Sequence, residues 1–328
     1  MTFIIICILL NLLFIFFNNK IAGFLNLYDK PDKIRKKHQS IVPLTGGVFI
    51  FLNIIFFLVF LFFEKSYLNK INIFFNNKDF FIFFIALIII FLIGFFDDKF
   101  EISANYKILL IAPILIFTVI FSKDLSIDIV TFTFFEKKYY LPYYVSVIWS
   151  VLCFLLFINA LNMFDGINYQ VGAYSIFLCI IFINYNYFTL FFIIFFISLI
   201  FFLLLNHQNK AFLGDSGTHV LAFVFGYFFI KFYNQTNYLK ADQIVLLMII
   251  PGIDLMRLFI YRIYKGQPPF QADRNHLHYV VLLKNNLLKT NLKILSLIII
   301  PSLLSLFFGH TIIFVIIQLI IYFYFIVR

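Results

Sequence analysis

Charged residues are scarce in this sequence of 328 residues, at only 12% of the chain. Soluble proteins keep about a quarter of their residues charged, because a folded surface must face water. Hydrophobic residues make up 63% of the chain, and the mean hydropathy is +1.02. These values exclude a soluble globular fold and predict an integral membrane protein.

Cysteine is also rare. The three cysteines, Cys7, Cys153 and Cys179, lie in apolar runs without CxxC or CxxH spacing. This pattern excludes a disulfide framework and a cysteine zinc site. The basic surplus, a formal net charge of +10, is typical of cytoplasmic loops beside anionic lipid and does not imply nucleic acid as a partner.

Long apolar runs dominate the rest of the sequence, and a transmembrane helix needs about 20 such residues. We predict an all-α polytopic membrane protein with about eleven transmembrane helices and one integral-membrane domain over 1–328. The alternative for the first run is a removed signal peptide, although no small-residue cleavage site follows it. The predicted spans are 2–17, 46–63, 80–96, 106–122, 143–161, 169–184, 187–206, 217–233, 242–262, 292–309 and 311–327.

Loop charge predicts the orientation. Most Lys and Arg residues fall in the odd-numbered loops and at the C-terminus, and the first loop alone holds Lys20, Lys30, Lys33, Arg35, Lys36 and Lys37. The positive-inside rule then places the odd loops and the C-terminus in the cytoplasm and the N-terminus outside.

The odd loops also hold nearly every unusual polar cluster. Asp97 and Asp98 adjoin an apolar run, where paired carboxylates are costly unless they bind a cation, transfer a proton or cap a helix. Asp215 precedes the eighth span and suits either a helix cap or a metal ligand that reaches phosphate. Thr45-Gly46-Gly47 opens the second span and indicates close packing or anion contact equally.

Two more clusters complete this face. Asn159, Asn162 and Asp165 are spaced by three residues at a helix end and suit a hard cation, a polar ligand or interhelical hydrogen bonds. The segment 266–278 is rich in Arg and His, which suit recognition of diphosphate and sugar. All clusters together fit a magnesium-dependent reaction at a phosphate group.

These motifs resemble the polyprenyl-phosphate N-acetylhexosamine-1-phosphate transferases, glycosyltransferase family 4. The resemblance covers about 23–280, leaving 292–328 as C-terminal transmembrane helices. The motifs run in order through Asp29-Lys30-Pro31, Arg35-Lys36-Lys37-His38, 43–47, 94–98, 159–168, 212–217, 251–254 and 273–278.

The resemblance implies a reaction at the cytoplasmic face of the bacterial inner membrane. The phosphate of undecaprenyl phosphate attacks the β-phosphorus of a UDP-HexNAc, releasing UMP and leaving a sugar diphospholipid that initiates an O-antigen-like surface polysaccharide. The closest branch uses UDP-N-acetylglucosamine. Mg²⁺ is the implied cofactor, with Mn²⁺ as an alternative metal, and a homodimer is left open.

The resemblance also assigns residues. Asp97 and Asp98 are the catalytic pair, and they either deprotonate or position the lipid phosphate. Asp215 is a metal ligand, with Asn162 as the second. The substrate-binding residues are Lys37, His38, Thr45, Asp165, Asn168, Asp273, Arg274, His276 and His278.

One segment departs from the family pattern. Bacterial members carry Asp-Gly-x-Asp-Gly-Leu where this chain has Asp165-Gly166-Ile167-Asn168-Tyr169-Gln170. Three alternatives accompany the main hypothesis, and this departure motivates the second of them. They are the phospho-N-acetylmuramoyl-pentapeptide transferase of peptidoglycan synthesis, an inactive family member acting as a membrane scaffold, and a transporter or channel. The transporter predicts ionisable residues deep in the spans or on both faces, and the sequence does not have that distribution.

Overall fold

A computed structural model describes residues 2–31, 40–63, 77–236, 238–270 and 273–327. Each of the eleven predicted spans coincides with a helix, and a short extra helix lies in the ninth loop. The helices of the described residues are α1 (Thr2–Leu25), α2 (Gly46–Phe63), α3 (Asn77–Phe100), α4 (Ala104–Phe121), α5 (Tyr143–Phe164), α6 (Gln170–Asn184), α7 (Thr189–His207), α8 (Gly214–Gln235), α9 (Ala241–Tyr264), α10 (Leu277–Leu282), α11 (Leu287–Phe308) and α12 (Thr311–Val327).

The fold is that of an all-α polytopic membrane protein. In the described part of the chain, eight helices are long and apolar enough to cross a membrane, while α6 and α12 are apolar but shorter. Helix α8 is not among the eight, although a span was predicted there. Its residues 216–232 are all buried, so protein surrounds this helix and it need not be uniformly apolar. The exact number of spans and their orientation stay predictions.

Short strands close two of the loops. Strand β1 (Tyr28–Asp29) pairs antiparallel with β2 (Val42–Pro43), and β3 (Ile129–Val130) pairs with β4 (Tyr139–Tyr140). The first pair joins the two ends of the basic first loop. Residues 32–39 lie outside the described residues, so the predicted substrate contacts of Lys37 and His38 are not placed.

The chain divides into two compact units, and the prediction of a single domain stays a prediction. The first unit comprises Met1–Ile114 and Val171–Val224. Within it, α2 packs against α1, α3 and α7. Asn11 of α1 and Asn53 of α2 exchange two side-chain hydrogen bonds of 3.0 Å in the buried interface. Such a reciprocal amide pair fixes the register of two apolar helices.

The second unit comprises Leu115–Gln170 and Phe225–Arg328. Helix α9 packs against α5, α11 and α12, and α10 packs against α11 and α12. Because α10 lies in the ninth loop, this packing fixes the Arg- and His-rich segment against the helices.

Phenylalanine fills the interior as well as the outer surface. Phe49 and Phe57 are fully buried, and the rings of Phe51 and Phe91 stack with centroids 3.8 Å apart. The 52 phenylalanines therefore pack helix against helix, in addition to providing apolar surface for lipid.

Candidate active site

Glycines bring the start of α8 close to α2 and α3 in the first unit. The Gly46 and Gly47 amides donate to the carbonyls of Phe212 and Leu213, both at 2.9 Å. A Cβ atom at Gly94 of α3 would lie 2.5 Å from the Ser216 Cα, so only glycine permits this approach. Since both Gly46 and Gly47 amides are engaged, the packing interpretation of Thr45-Gly46-Gly47 is favoured over anion contact.

Asp98 lies one turn after Gly94 on α3 and caps α8. Its Oδ1 accepts from the Asp215 amide at 2.6 Å, and its Oδ2 accepts from the Ser216 amide at 3.0 Å. The first amides of a helix have no partner within it, and a carboxylate there is also stabilised by the helix dipole. The cap that Asp215 could have provided therefore comes from Asp98. Helix α3 continues to Phe100, beyond the predicted end at 96, which places Asp97 and Asp98 in its last turn.

Lys107 of α4 joins the two other carboxylates. Its Nζ lies 2.6 Å from Asp97 Oδ2 and 2.7 Å from Asp215 Oδ2. The Asp97 side chain is 4% exposed, and those of Lys107 and Asp215 are 19% and 32% exposed. We call Asp97, Asp98, Lys107 and Asp215 the carboxylate cluster. Lys107 was not among the predicted site residues, although it lies between two of them.

Asp215 carries a negative charge in this cluster. Burial disfavours its ionised form, but the Lys107 ammonium holds the pKa of Asp215 below its usual range. Asp215 is also more exposed than Asp97 and Lys107, so a ligand can reach it.

The oxygen donors of the cluster fit Mg²⁺. In the part of the chain that the structure describes, no three His, Cys, Asp or Glu side chains form a ready metal-binding group. Magnesium usually binds one or two carboxylates and completes its shell with water and substrate phosphate. Asp97 and Asp215 supply such a pair, since one ammonium leaves two carboxylates incompletely neutralised. Lys107 would then have to yield at least one of its contacts.

Thr45 is fully buried in the first unit. Its hydroxyl donates to Asn18 Oδ1 at 2.6 Å, and Asn18 Nδ2 donates to the Lys210 carbonyl at 2.8 Å. These contacts tie the start of α2 to the segment before α8. A direct substrate contact by Thr45 stays a prediction.

The Asn159–Asn168 motif lies in the second unit. Helix α5 ends at Phe164, Asp165 follows as its C-cap, and both Asn162 and Asp165 are partly exposed. The Asn168 carbonyl accepts from Asn291 Nδ2 of α11 at 3.0 Å. Because Asp215 belongs to the first unit, a shared metal site of Asn162 and Asp215 stays a prediction.

Tyr169 has a backbone conformation that favours glycine. Its φ is 73°, in the left-handed region that costs an ordinary residue about 1–2 kcal/mol. The family pattern places Gly at this position. A glycine here would adopt this backbone conformation without strain, whereas Tyr169 adopts it at a cost.

A buried carboxylate organises the ninth loop. Asp254 of α9 is 4% exposed. It accepts hydrogen bonds from Arg257 Nη2 and Tyr322 Oη, both at 2.8 Å, and lies 2.9 Å from His276 Nδ1. The Leu277 amide at the start of α10 lies 3.2 Å from both Asp254 oxygens. We call Asp254, Arg257, His276 and Tyr322 the Asp254 network.

Asp273 is held by a buried cation. Arg262 is fully buried, and its Nε donates to Asp273 Oδ2 at 3.0 Å. Burial disfavours the charged carboxylate, but the Asn275 amide and Arg262 outweigh it and lower the pKa of Asp273. The next residue, Arg274, lies with its guanidinium carbon 4.6 Å from the Tyr279 ring centroid. Asp273 therefore shapes the loop, and Arg274 lies beside an aromatic face.

His278 joins the two motifs of the second unit. A Cβ atom at Gly166 would lie 1.8 Å from His278 Nε2, so the Asp165 turn and α10 are in direct contact. His278 is 1% exposed, and neither ring nitrogen has a hydrogen-bond partner among the described residues. Burial, with smaller effects from His276 and Arg274, lowers the pKa of His278 to about 3. The ring is therefore neutral near pH 7.

Comparison with known proteins agrees with these motifs. Residues 80–233 match the model of glycosyl transferase family 4, and this range contains the carboxylate cluster and the Asn159–Asn168 motif. Over this range, which is slightly less than half of the chain, the sequence is similar to glycosyl transferase family 4. It is 25% identical to the undecaprenyl-phosphate alpha-N-acetylglucosaminyl 1-phosphate transferases of Salmonella typhi and Escherichia coli K12, over 84% of this chain and 74% of theirs. The transferase of that name from Thermotoga maritima is 28% identical, over 85% of this chain and 80% of its own. The resemblance inferred from the sequence is thus confirmed.

Proposed function

We propose that this protein transfers a HexNAc 1-phosphate from a UDP-sugar to undecaprenyl phosphate. A lipid phosphate oxygen bonds to the β-phosphorus of the UDP-sugar, the bond from that phosphorus to the bridging oxygen breaks, and UMP leaves with the bridging oxygen. One phosphoanhydride replaces another, so no further energy source is needed. The names of the relatives support undecaprenyl phosphate as acceptor and N-acetylglucosamine as sugar.

The observation that carries this proposal is the ammonium shared by Asp97 and Asp215. Two anionic substrates repel each other, and a site that joins them needs positive charge that can be redirected onto phosphate oxygens. Lys107 supplies it from a partly exposed position between two carboxylates. Its contacts with Asp97 and Asp215 hold the ammonium where an incoming phosphate can replace one of them.

The carboxylate cluster supports different roles for the two adjacent acids. Both oxygens of Asp98 accept backbone amides of α8, so Asp98 positions Asp215. The Asp97 carboxylate instead accepts a hydrogen bond from the Lys107 ammonium. A phosphate monoester is already largely ionised near pH 7. We therefore assign Asp97 chiefly to positioning the lipid phosphate, with base catalysis as the alternative role.

Mg²⁺ is the proposed cofactor, with Mn²⁺ as an alternative. Asp97 and Asp215 would hold it, and Asn162 is the proposed additional ligand. A bound divalent ion would neutralise negative charge on phosphate oxygens during the transfer.

The second unit supplies the proposed contacts to the donor. Arg274, His276 and His278 would contact the diphosphate or sugar, while Asp165 and Asn168 would contact the nucleotide. Asp273 would act by holding the loop through Arg262. Loop charge supports an active site on the cytoplasmic side of a bacterial inner membrane, and a homodimer is compatible with this assignment.

Turnover tests the proposal directly. Purified protein with undecaprenyl phosphate, Mg²⁺ and radiolabelled UDP-N-acetylglucosamine should form a labelled lipid and release an equal amount of UMP. Asp215→Asn should lower turnover by at least about 100-fold, because the cluster loses a charged ligand. Asp128→Asn is the matched control, since Asp128 accepts from Ser146 in the loop containing β3 and β4. Absence of labelled lipid with every UDP-HexNAc donor would contradict the proposal.

A further inference from the structure

Asp254 lies on α9, a predicted transmembrane helix. The members of its network come from the same helix, from the ninth loop and from the last helix. Asp254 and Arg257 are three residues apart on α9, His276 immediately precedes α10, and Tyr322 lies on α12. The Arg257 Nη2 atom also donates to the Asn275 carbonyl at 2.7 Å. One carboxylate thus ties three separate chain segments together.

The contacts also fix the His276 ring. A carboxylate beside the Arg257 guanidinium can only accept hydrogen bonds, so the His276 Nδ1 at 2.9 Å must carry a proton. When Nδ1 is the donor, Nε2 is the nitrogen left to meet another group. The backbone of His276 is fixed too, since its carbonyl accepts from the Tyr279 and Val280 amides at 3.0 and 3.1 Å.

We propose that Asp254 is a positioning residue that holds His276, and with it the start of α10, in the orientation used to bind the UDP-sugar. This inference rests on the proposed function, because it gives His276 a substrate to meet. Asp254 is buried by its partners and need not touch the substrate. Its effect on the reaction passes through His276 Nδ1 and the Leu277 amide.

A substitution that keeps the size of the side chain isolates this effect. In Asp254→Asn, one oxygen becomes an NH₂ group, which cannot accept from His276, Leu277, Arg257 or Tyr322. The matched control is Asp242→Asn, because Asp242 is also a buried acid on α9, 7% exposed, but accepts from the Thr133 amide at 3.0 Å. His276→Ala and the double variant Asp254→Asn/His276→Ala complete a double-mutant cycle.

Two measurements are made on each purified full-length protein. The first is UMP release with UDP-N-acetylglucosamine, from which KM and kcat are obtained. The second is amide hydrogen exchange over Leu277–Leu282, which needs no turnover. We expect Asp254→Asn to raise KM for the UDP-sugar about 10- to 100-fold, the loss typical of a hydrogen bond to a charged group, and to speed exchange at the start of α10.

The double-mutant cycle separates positioning from general destabilisation. If Asp254 acts through His276, the double variant will have the same KM as His276→Ala alone. Additive effects, or the same KM increase in Asp242→Asn, would overturn the proposal. If the wild-type protein forms no product, the proposed function fails, and unchanged exchange over α10 in Asp254→Asn would overturn the positioning role as well.

Discussion

Replacing Lys107 with Met should reveal how the carboxylate cluster is balanced. The Lys107 Nζ lies 2.6 Å from Asp97 and 2.7 Å from Asp215. The two carboxylate oxygens are therefore within about 5 Å, where two negative charges repel by about 3 kcal/mol at an effective dielectric constant of about 20. Asp215 is 32% exposed, which screens part of this repulsion. We expect Lys107→Met to lower the free energy of unfolding by about 2 kcal/mol.

The same substitution should make the cluster more responsive to a divalent cation. Without the ammonium, Mg²⁺ meets two unneutralised carboxylates and no longer competes with Lys107. An ion that binds only the folded state stabilises it in proportion to the logarithm of its concentration over Kd. Thermal unfolding of the detergent-solubilised protein, with and without Mg²⁺, should therefore show a larger stabilisation by Mg²⁺ in Lys107→Met than in the wild type.

Two comparisons make this prediction decisive. Lys99→Met is the control. Lys99 is an exposed lysine in the last turn of α3, next to Asp98, and its ammonium lies 6.0 Å from the Phe100 ring centroid. Its loss should change neither the stability nor the Mg²⁺ response. In Asp215→Asn the Mg²⁺ effect should be lost. A Lys107→Met protein as stable as the wild type, or an undiminished Mg²⁺ effect in Asp215→Asn, would refute the reasoning.

Three further predictions concern other parts of the molecule, and thermal or chemical unfolding in detergent measures each of them. Asn11→Leu or Asn53→Leu should each cost about 1 kcal/mol, because the partner amide stays buried without its hydrogen bonds; the double substitution should cost less than the sum. Tyr169→Gly should raise stability by about 1 kcal/mol, since a φ of 73° disfavours side chains with a Cβ atom. His278→Leu should make stability less sensitive to acid. With the His278 pKa lowered to about 3, only the unfolded chain takes up a proton just below about pH 6.5, so stability falls by about 2 kcal/mol between about pH 6.5 and 5 in the wild type.

For each of these three predictions, one outcome would contradict the reasoning. Additive losses at Asn11 and Asn53 would mean that the two amides do not act as a pair. A loss of stability in Tyr169→Gly would mean that contacts of the tyrosine ring outweigh the backbone cost. Equal acid sensitivity of His278→Leu and the wild type would mean that His278 is not kept neutral in the fold.

The fold could be predicted well because a bilayer imposes a simple rule on the sequence. Each predicted span coincides with a helix, since about 20 consecutive apolar residues have few alternatives in hydrocarbon. Helix α8 shows the limit of the rule. Hydropathy predicts a span there, but the helix is enclosed by protein, and burial by neighbours cannot be told from burial by lipid in an amino-acid pattern.

The candidate site could be predicted in its motifs and less well in its contacts. Asp97, Asp98 and Asp215 stood out because acids are rare beside apolar runs. The different roles of these three acids could not be predicted. Asp98 caps the helix that begins beside Asp215, and the two residues are 117 positions apart in the sequence. Lys107 carried a weak signal, because a single Lys at the start of a span is usually an anchor. Tyr322 carried none, because it lies in an apolar run on the last helix.

The partners of each acid indicate which of them can take part in chemistry. Asp98 is held by backbone amides and Asp254 by four groups from three chain segments, so neither can exchange its partners without moving a helix. Asp97 and Asp215 instead share one ammonium at the end of a flexible side chain, and Lys107 can turn toward phosphate at little structural cost. Exchange of partners is what a binding site for phosphate and metal requires. The reactive part of the cluster is therefore Asp97, Lys107 and Asp215, while Asp98 keeps Asp215 in place.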